Sequence, residues 1–265
     1  MLYESVILGL AQGITEFLPI SSSGHLILIP KIFGWSDQGL AFDVMVHLGT
    51  LVAVMFVFRK RIGDILRSVF GQGRSADKNS QIGVLIILSI IPAVIVGYLF
   101  KDYIEENFRS KTVVAVGLIF WGLFLWLANR YSRRAHYKTQ SVNSISIWQA
   151  IIVAVSQAIA FIPGTSRSGI TISTGLFAKM DRHTAVEFSF LISIPIIAIA
   201  GGWEMFNLFK FGFGAFNIPS LIAGFIASAI SGFLAIKFLL AFVKRWGFGL
   251  FVAYRIALGA IILII

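Results

Sequence analysis

The chain has 265 residues, 57% of them hydrophobic and 13% charged, with a mean hydropathy of +0.88. A soluble domain averages about 25% charged residues and disordered chains are poor in apolar ones, so both classes are excluded, and the lack of cysteine excludes disulfides and thiolate chemistry. A net charge of +10 would suggest nucleic acid in a soluble protein, but here the bases sit mainly in short loops between apolar runs, which is how membrane topology is written, and no nucleic-acid partner is predicted.

A membrane span takes about 20 apolar residues. Residues 2–30 are apolar but interrupted by a polar turn, and Glu4 stands where the basic start of a cleaved leader would be, so no leader is expected. Residues 40–58 form an apolar stretch carrying Asp43 and His47. The following 59–80 hold six Lys or Arg against two Asp. Spans 81–100 and 112–129 carry no charge and flank a balanced segment, 101–111, so they read as a hairpin. Residues 130–146 hold four Lys or Arg and no acid. A second broken apolar region runs over 147–180, followed by 184–203 with Glu187, the uncharged 218–236, a basic turn at Lys244 and Arg245, and 246–265 with Arg255. The excess of bases puts 59–80 and 130–146 in the cytoplasm and 101–111 outside. His136 and His183 read as solvated loop residues, and the 25 Phe as lipid-facing packing.

The two broken regions resemble each other. An offset of 145 positions carries Gln12 onto Gln157, Ser23 onto Ser168 and Gly24 onto Gly169, and nearly the same offset carries Asp43 onto Glu187. This predicts an internal duplication, approximately 1–129 and 147–265, within a single integral membrane domain over 1–265. Span 40–58 runs toward the cytoplasm and 184–203 away from it, so the halves are inverted. Inverted repeats commonly meet at midplane through discontinuous helices. The predicted fold is therefore an all-α polytopic membrane bundle with an inverted-topology repeat. Residues 2–39 and 147–180 are its two re-entrant helix-turn-helix hairpins, although outright spans fit their length as well.

The chemistry-bearing residues gather in these hairpins. Gln12 and Glu16 share a helix face, and a membrane-embedded carboxylate usually marks function; an interfacial, merely solvated Glu16 is the plainer alternative. Pro19 ends the first helix. Ser21, Ser22, Ser23 and Gly24 then offer hydroxyls and free N–H groups, either as an anion site or as an ordinary serine cap. His25 beside them is a candidate acid, base or nucleophile. The second turn holds Gly164, Thr165, Ser166, Arg167 and Ser168, with Thr171 and Ser173 beyond, and Arg167 is the one charge between Lys138 and Lys179. A guanidinium fork matches phosphate, or it pairs with Glu16. Brought together, the turns would set Arg167 against Glu16 and His25 across a phosphate-sized gap. That mix suits phosphoryl transfer, with Glu16 holding Mg²⁺ or Ca²⁺. Arg255 and Glu187 read as a neutralising pair, and Asp43 and His47 as either cavity-lining or structural.

At these motifs the sequence resembles the undecaprenyl-diphosphatase family, also called bacitracin-resistance proteins. That family carries an (E/Q)xxxE element, a Ser-rich turn with His, and a PGxSRSxxT element. They stand here as Gln12-GIT-Glu16, PISSSGH at 19–25 and PGTSRSGIT at 163–171. The likeness extends through FDVMVHLGT at 42–50, EFSFLISIP at 187–195 and the YR at 254–255. The resemblance implies a bacterial plasma-membrane enzyme that removes the terminal phosphate of undecaprenyl diphosphate, recycles the peptidoglycan lipid carrier, confers bacitracin tolerance and opens extracytoplasmically. A homodimer is compatible with it. It implies catalytic roles for Glu16, Ser22, His25 and Arg167 and substrate-binding roles for Gln12, Ser21, Ser23, Gly24, Thr165, Ser166, Ser168 and Thr171, with Glu16 also binding metal. Where many relatives have Glu, Gln12 can be neither a base nor an anionic ligand, so its expected role is positioning. A transporter or flippase for a polyprenyl phosphate or other anion competes with this reading, as does a scaffold with structural polar pairs; released phosphate separates the first from both.

Overall fold

The computed structural model describes residues 2–36, 38–70, 77–108, 110–135, 141–211 and 217–264. His136 and parts of the basic loops lie outside them. Among the described residues every regular element is helical. In chain order these are α1 (Leu2–Phe17), α2 (Ser22–Phe33), α3 (Leu40–Val57), α4 (Arg59–Phe70), α5 (Lys78–Leu88), α6 (Ile90–Phe108), α7 (Lys111–Ala135), α8 (Ile147–Ala158), α9 (Arg167–Phe177), α10 (Arg182–Phe211), α11 (Ile218–Arg245) and α12 (Gly249–Ile264), with short 3₁₀ turns at Val142–Ser144 and Ile159–Phe161. Among the described residues five helical stretches are long and apolar enough to cross a membrane: Leu40–Val57, Lys78–Phe100 (α5 with the start of α6), Lys111–Arg134, Arg182–Lys210 and Ile218–Arg245. At 16 residues, α12 is shorter than these.

Local chemistry sets the boundaries. Asp77 caps α5 by accepting from the Ser80 amide at 2.8 Å, Ser146 and Gln149 close a reciprocal capping box on α8, and Asn217 caps α11 ahead of Pro219. Gly34 ends α2 in the left-handed region at φ 66°. The uncharged span 81–100 is not one helix. It divides at Ser89 into α5 and α6, because Pro92 lacks an N–H and its ring crowds the carbonyl four residues back. The basic stretch 59–80, read as a loop, contains α4, which turns Ile62, Ile65 and Val69 toward the core and leaves Arg59, Lys60 and Arg67 exposed. The expected hairpin of 81–100 and 112–129 also differs: α6 packs chiefly on α8, and α7 on α12 and α9.

The most extensive packing is α1 on α11 and α11 on α3. Small residues make it possible. A Cβ added to Gly13 would overlap the Ser231 hydroxyl and the Ser228 carbonyl, and one on Gly9 would overlap Gly224. Close backbone approach through small residues is how helices associate without a hydrophobic drive between them. The phenylalanines divide between surface and core, Phe17, Phe42, Phe188, Phe190 and Phe248 being fully buried, with Phe17 meeting Phe190 edge-on at 5.3 Å.

Replacing Gly13 by Leu forces α1 off α11. The expected outcome is a loss of at least about 3 kcal/mol, the upper range for an overpacked site, read as a lowered thermal midpoint in detergent.

Candidate active site

Both broken hairpins turn on a serine in a conformation that L-residues seldom adopt. Ser21 has φ 75°, ψ 95° and Ser166 has φ 70°, ψ 112°; they sit at the same position in the 145-residue offset. Such strain persists only where the surroundings impose it. The correspondence continues in the side chains, since Ser21 and Ser23 hydroxyls lie 3.3 Å apart, as do those of Ser166 and Ser168. The turns bring the first residues of α2 and α9, Ser22 and Arg167, to one cavity, with Ser166 capping α9 by accepting from the Gly169 amide at 3.1 Å.

The surroundings that hold them centre on Arg255. Its side chain is fully buried. The guanidinium donates to the Pro19 carbonyl of the first turn at 3.2 Å, to Gly164 and Thr165 of the second at 2.8 and 2.9 Å, and to Leu118 of α7 at 3.2 Å. This corrects the expected pairing with Glu187. Turn carbonyls buried away from water must find donors, and Arg255 supplies them, whereas Glu187 lies 3.8 Å from His183 of its own helix.

Where the turns meet, Glu16 Oε1 accepts from Arg167 Nη2 at 2.7 Å, and Oε2 accepts from the Ser22 hydroxyl at 2.8 Å and from Gln12 Nε2 at 3.1 Å. Ser168 ties the turns together by donating to the Leu18 carbonyl at 3.1 Å. Arg167 also reaches the Ser189 carbonyl at 3.4 Å, and Thr171 binds the Ser189 hydroxyl at 2.7 Å. The expectation of a phosphate-sized gap between Arg167 and Glu16 is thus corrected: the two touch, and the space for a ligand lies beside them. It is a cavity of about 370 Å³ lined by Glu16, Ser21, Ser22, Ser23, Ser166 and Arg167, by Asp43, His47, Gln157 and Glu204, and by apolar walls including Ala93, Phe161 and Ile197.

Several expected site residues stand behind this wall rather than on it. Gln12, Gly24, Thr165, Ser168 and Thr171 are not among the cavity-lining residues. His25 is turned away as well: its Nδ1 donates to the Ser21 carbonyl at 2.7 Å, leaving Nε2 to accept from the Tyr254 hydroxyl at 2.6 Å. The histidine facing the cavity is His47, whose Nε2 stands 3.9 Å from Glu16. The sequence placed His47 one turn from Asp43 but gave no sign of its reach to Glu16, and it gave Tyr254 and Ser189 no role.

Among the described residues no group of three or more His, Asp or Glu could hold a metal alone. A hard cation bound through substrate phosphates needs fewer protein ligands, commonly one or two carboxylates. Glu16 meets that lesser demand as the carboxylate on the cavity wall, with Gln12 behind it holding Oε2 through its Nε2 at 3.1 Å.

Comparison with known proteins places this geometry in context. The sequence model described as Bacitracin resistance protein BacA matches residues 5–261. The chain is similar to an undecaprenyl-diphosphatase of Moorella thermoacetica, 46% identical over 98% of this chain and 95% of the relative. It is also similar to undecaprenyl-diphosphatase 2 of Stutzerimonas stutzeri, 44% identical over 100% and 98%, and to an undecaprenyl-diphosphatase of Teredinibacter turnerae, 44% identical over 99% and 98%.

Arg255→Lys leaves some of the turn carbonyls without donors. It is expected to cost about 2 kcal/mol, from about 1–3 kcal/mol for each unpaired buried group, seen as a lower unfolding midpoint in detergent; an unchanged midpoint would sink the account of the turns.

Proposed function

The chain belongs to the bacitracin resistance protein BacA family, and from that premise we propose that it is a multi-pass membrane phosphatase that hydrolyses undecaprenyl diphosphate to undecaprenyl phosphate and inorganic phosphate. The observation that carries the reading is the Ser22–Glu16–Arg167 contact, at 2.8 and 2.7 Å, on a cavity wall where two helix N-termini meet.

A hydroxyl within hydrogen-bond reach of a carboxylate is the arrangement of a nucleophile with its base. Glu16 takes the Ser22 proton, Ser22 Oγ bonds to the terminal phosphorus, and the bond from that phosphorus to the bridging oxygen breaks, releasing the lipid monophosphate. Water then cleaves the phosphoserine. Arg167 and the N–H groups at the starts of α2 and α9 stabilise charge on the phosphoryl oxygens. Ser21, Ser23 and Ser166 line the same wall and hold those oxygens, while Thr165, Ser168, Thr171 and Gly24 fix the turns behind them. His25 supports the Ser21 turn through its Nδ1 proton; an acid–base role requires its Nε2 to part from Tyr254. Glu16, positioned by Gln12, would hold a Mg²⁺ or Ca²⁺ ion, which when bound would neutralise charge on the phosphates.

The inverted repeat is part of the same proposal. The matched serine conformations support it, as does the crossed packing in which α1 lies on α11 and α8 on α6. The bases closing α3, α7 and α11 support a cytoplasmic location for those ends. In a bacterial plasma membrane the cavity then opens extracytoplasmically, where wall synthesis releases the lipid diphosphate.

Purified protein in detergent with Mg²⁺ is expected to free inorganic phosphate from a polyprenyl diphosphate, and chelator to abolish it. Glu16→Gln, His25→Ala and Arg167→Ala should each lower turnover about 100-fold or more while the protein stays folded by circular dichroism. Absence of phosphate release from the native protein defeats the reading; full turnover in all three variants defeats the site.

A further inference from the structure

Gln157 is the counterpart of Gln12 in the second hairpin, and the chemistry proposed above leaves it without a role. It is 2% exposed, yet it lines the cavity together with Glu16, Ser166 and Arg167. Its Nε2 donates to the Ser89 carbonyl at 3.4 Å, at the break between α5 and α6. A carbonyl can only accept, so the amide must present its NH₂ group there, and this fixes Oε1 as the free end. That oxygen is buried and has no hydrogen-bond partner. A buried acceptor left unpaired is costly, and such atoms in native structures call for an explanation.

An unpaired amide oxygen is met either by a cation or by a hydrogen-bond donor, and the cation proposed above is assigned to Glu16 of the other hairpin, which leaves a donor for Gln157. Ionised phosphate oxygens only accept, and a prenyl chain offers no donor. Water does donate. We infer that Gln157 Oε1 seats the water molecule that the hydrolysis consumes, orienting its oxygen toward the phosphorus held by Ser22 and Arg167. The water oxygen bonds to phosphorus and the bond from phosphorus to Ser22 Oγ breaks. Glu16 returns to Oγ the proton it had taken. One water proton stays on the released phosphate and the other passes to solvent. Break points of the chain thus serve the site twice: the turn at Ser166 aims Arg167, and the one at Ser89 aims Gln157.

The inference rests on the phosphatase reading, and its failure is separable from failure of that reading. The native protein, Gln157→Met and Gln157→Asn are compared in detergent with a polyprenyl diphosphate. The methionine variant keeps the length without the amide, and the asparagine variant draws the acceptor back by one methylene. Both are expected to lose about 10- to 100-fold in kcat, the scale of a misplaced reacting group. KM and the binding of a non-hydrolysable diphosphonate analogue should stay within about twofold. In water–methanol mixtures the ratio of methyl phosphate to inorganic phosphate should rise in both, since the seat selective for water is gone. A merely structural glutamine would not move that ratio. Native turnover in a folded variant overturns the inference, as does a loss of turnover matched by an equal loss of analogue binding or an unchanged product ratio. If the native protein itself releases no phosphate, the phosphatase reading fails instead.

Discussion

Breaking a helix inside a membrane frees carbonyls that have no water to turn to. This chain has two buried turns, after α1 and before α9, and one buried guanidinium, that of Arg255, donates to carbonyls in both. Five N–H donors in a rigid plane reach Pro19 in one turn, Gly164 and Thr165 in the other, and Leu118 in the helix alongside. The relative position of the two turns is therefore held by this side chain together with the Ser168 bond to the Leu18 carbonyl. Everything chemical depends on that position, because Glu16 belongs to the first hairpin and Arg167 to the second. Moving a turn by an ångström would part a contact of 2.7 Å.

The same offset that aligns the turns also shows where they differ. It sets Ser22 against Arg167 and Glu16 against Phe161. The first hairpin supplies a carboxylate and a hydroxyl; the second supplies a cation. Neither could neutralise and activate a phosphate alone. The two turns thus present helix starts of alike backbone shape, and the residues on which they differ bring opposite charges together on one cavity wall.

Much of this was legible in the sequence. Charge-free runs located spans, and two polar interruptions stood out against apolar surroundings. What stayed hidden has a common cause. Arg255 looked like a charge in want of a carboxylate, because a sequence displays side chains and conceals the main-chain carbonyls that took the place of one. His25 and His47 were ranked by neighbours in the chain, whereas the fold turns one toward Tyr254 and the other toward Glu16. The break at Ser89 was masked by strong apolarity on both sides, although Pro92 was there to signal it. Helix α4 was obscured by its bases, which occupy one face while Ile62, Ile65 and Val69 occupy the other.

The glycine face of α1 bears on how the protein is made. Its chief partner, α11, is near the far end of the chain, so α1 is made long before the surface it fits has been synthesised. Until then Gly9 and Gly13 offer lipid a shallow notch with little to hold it. Docking of the first helix on α11 must therefore wait until translation has passed residue 245, and the anchoring of both turns until Arg255 has followed.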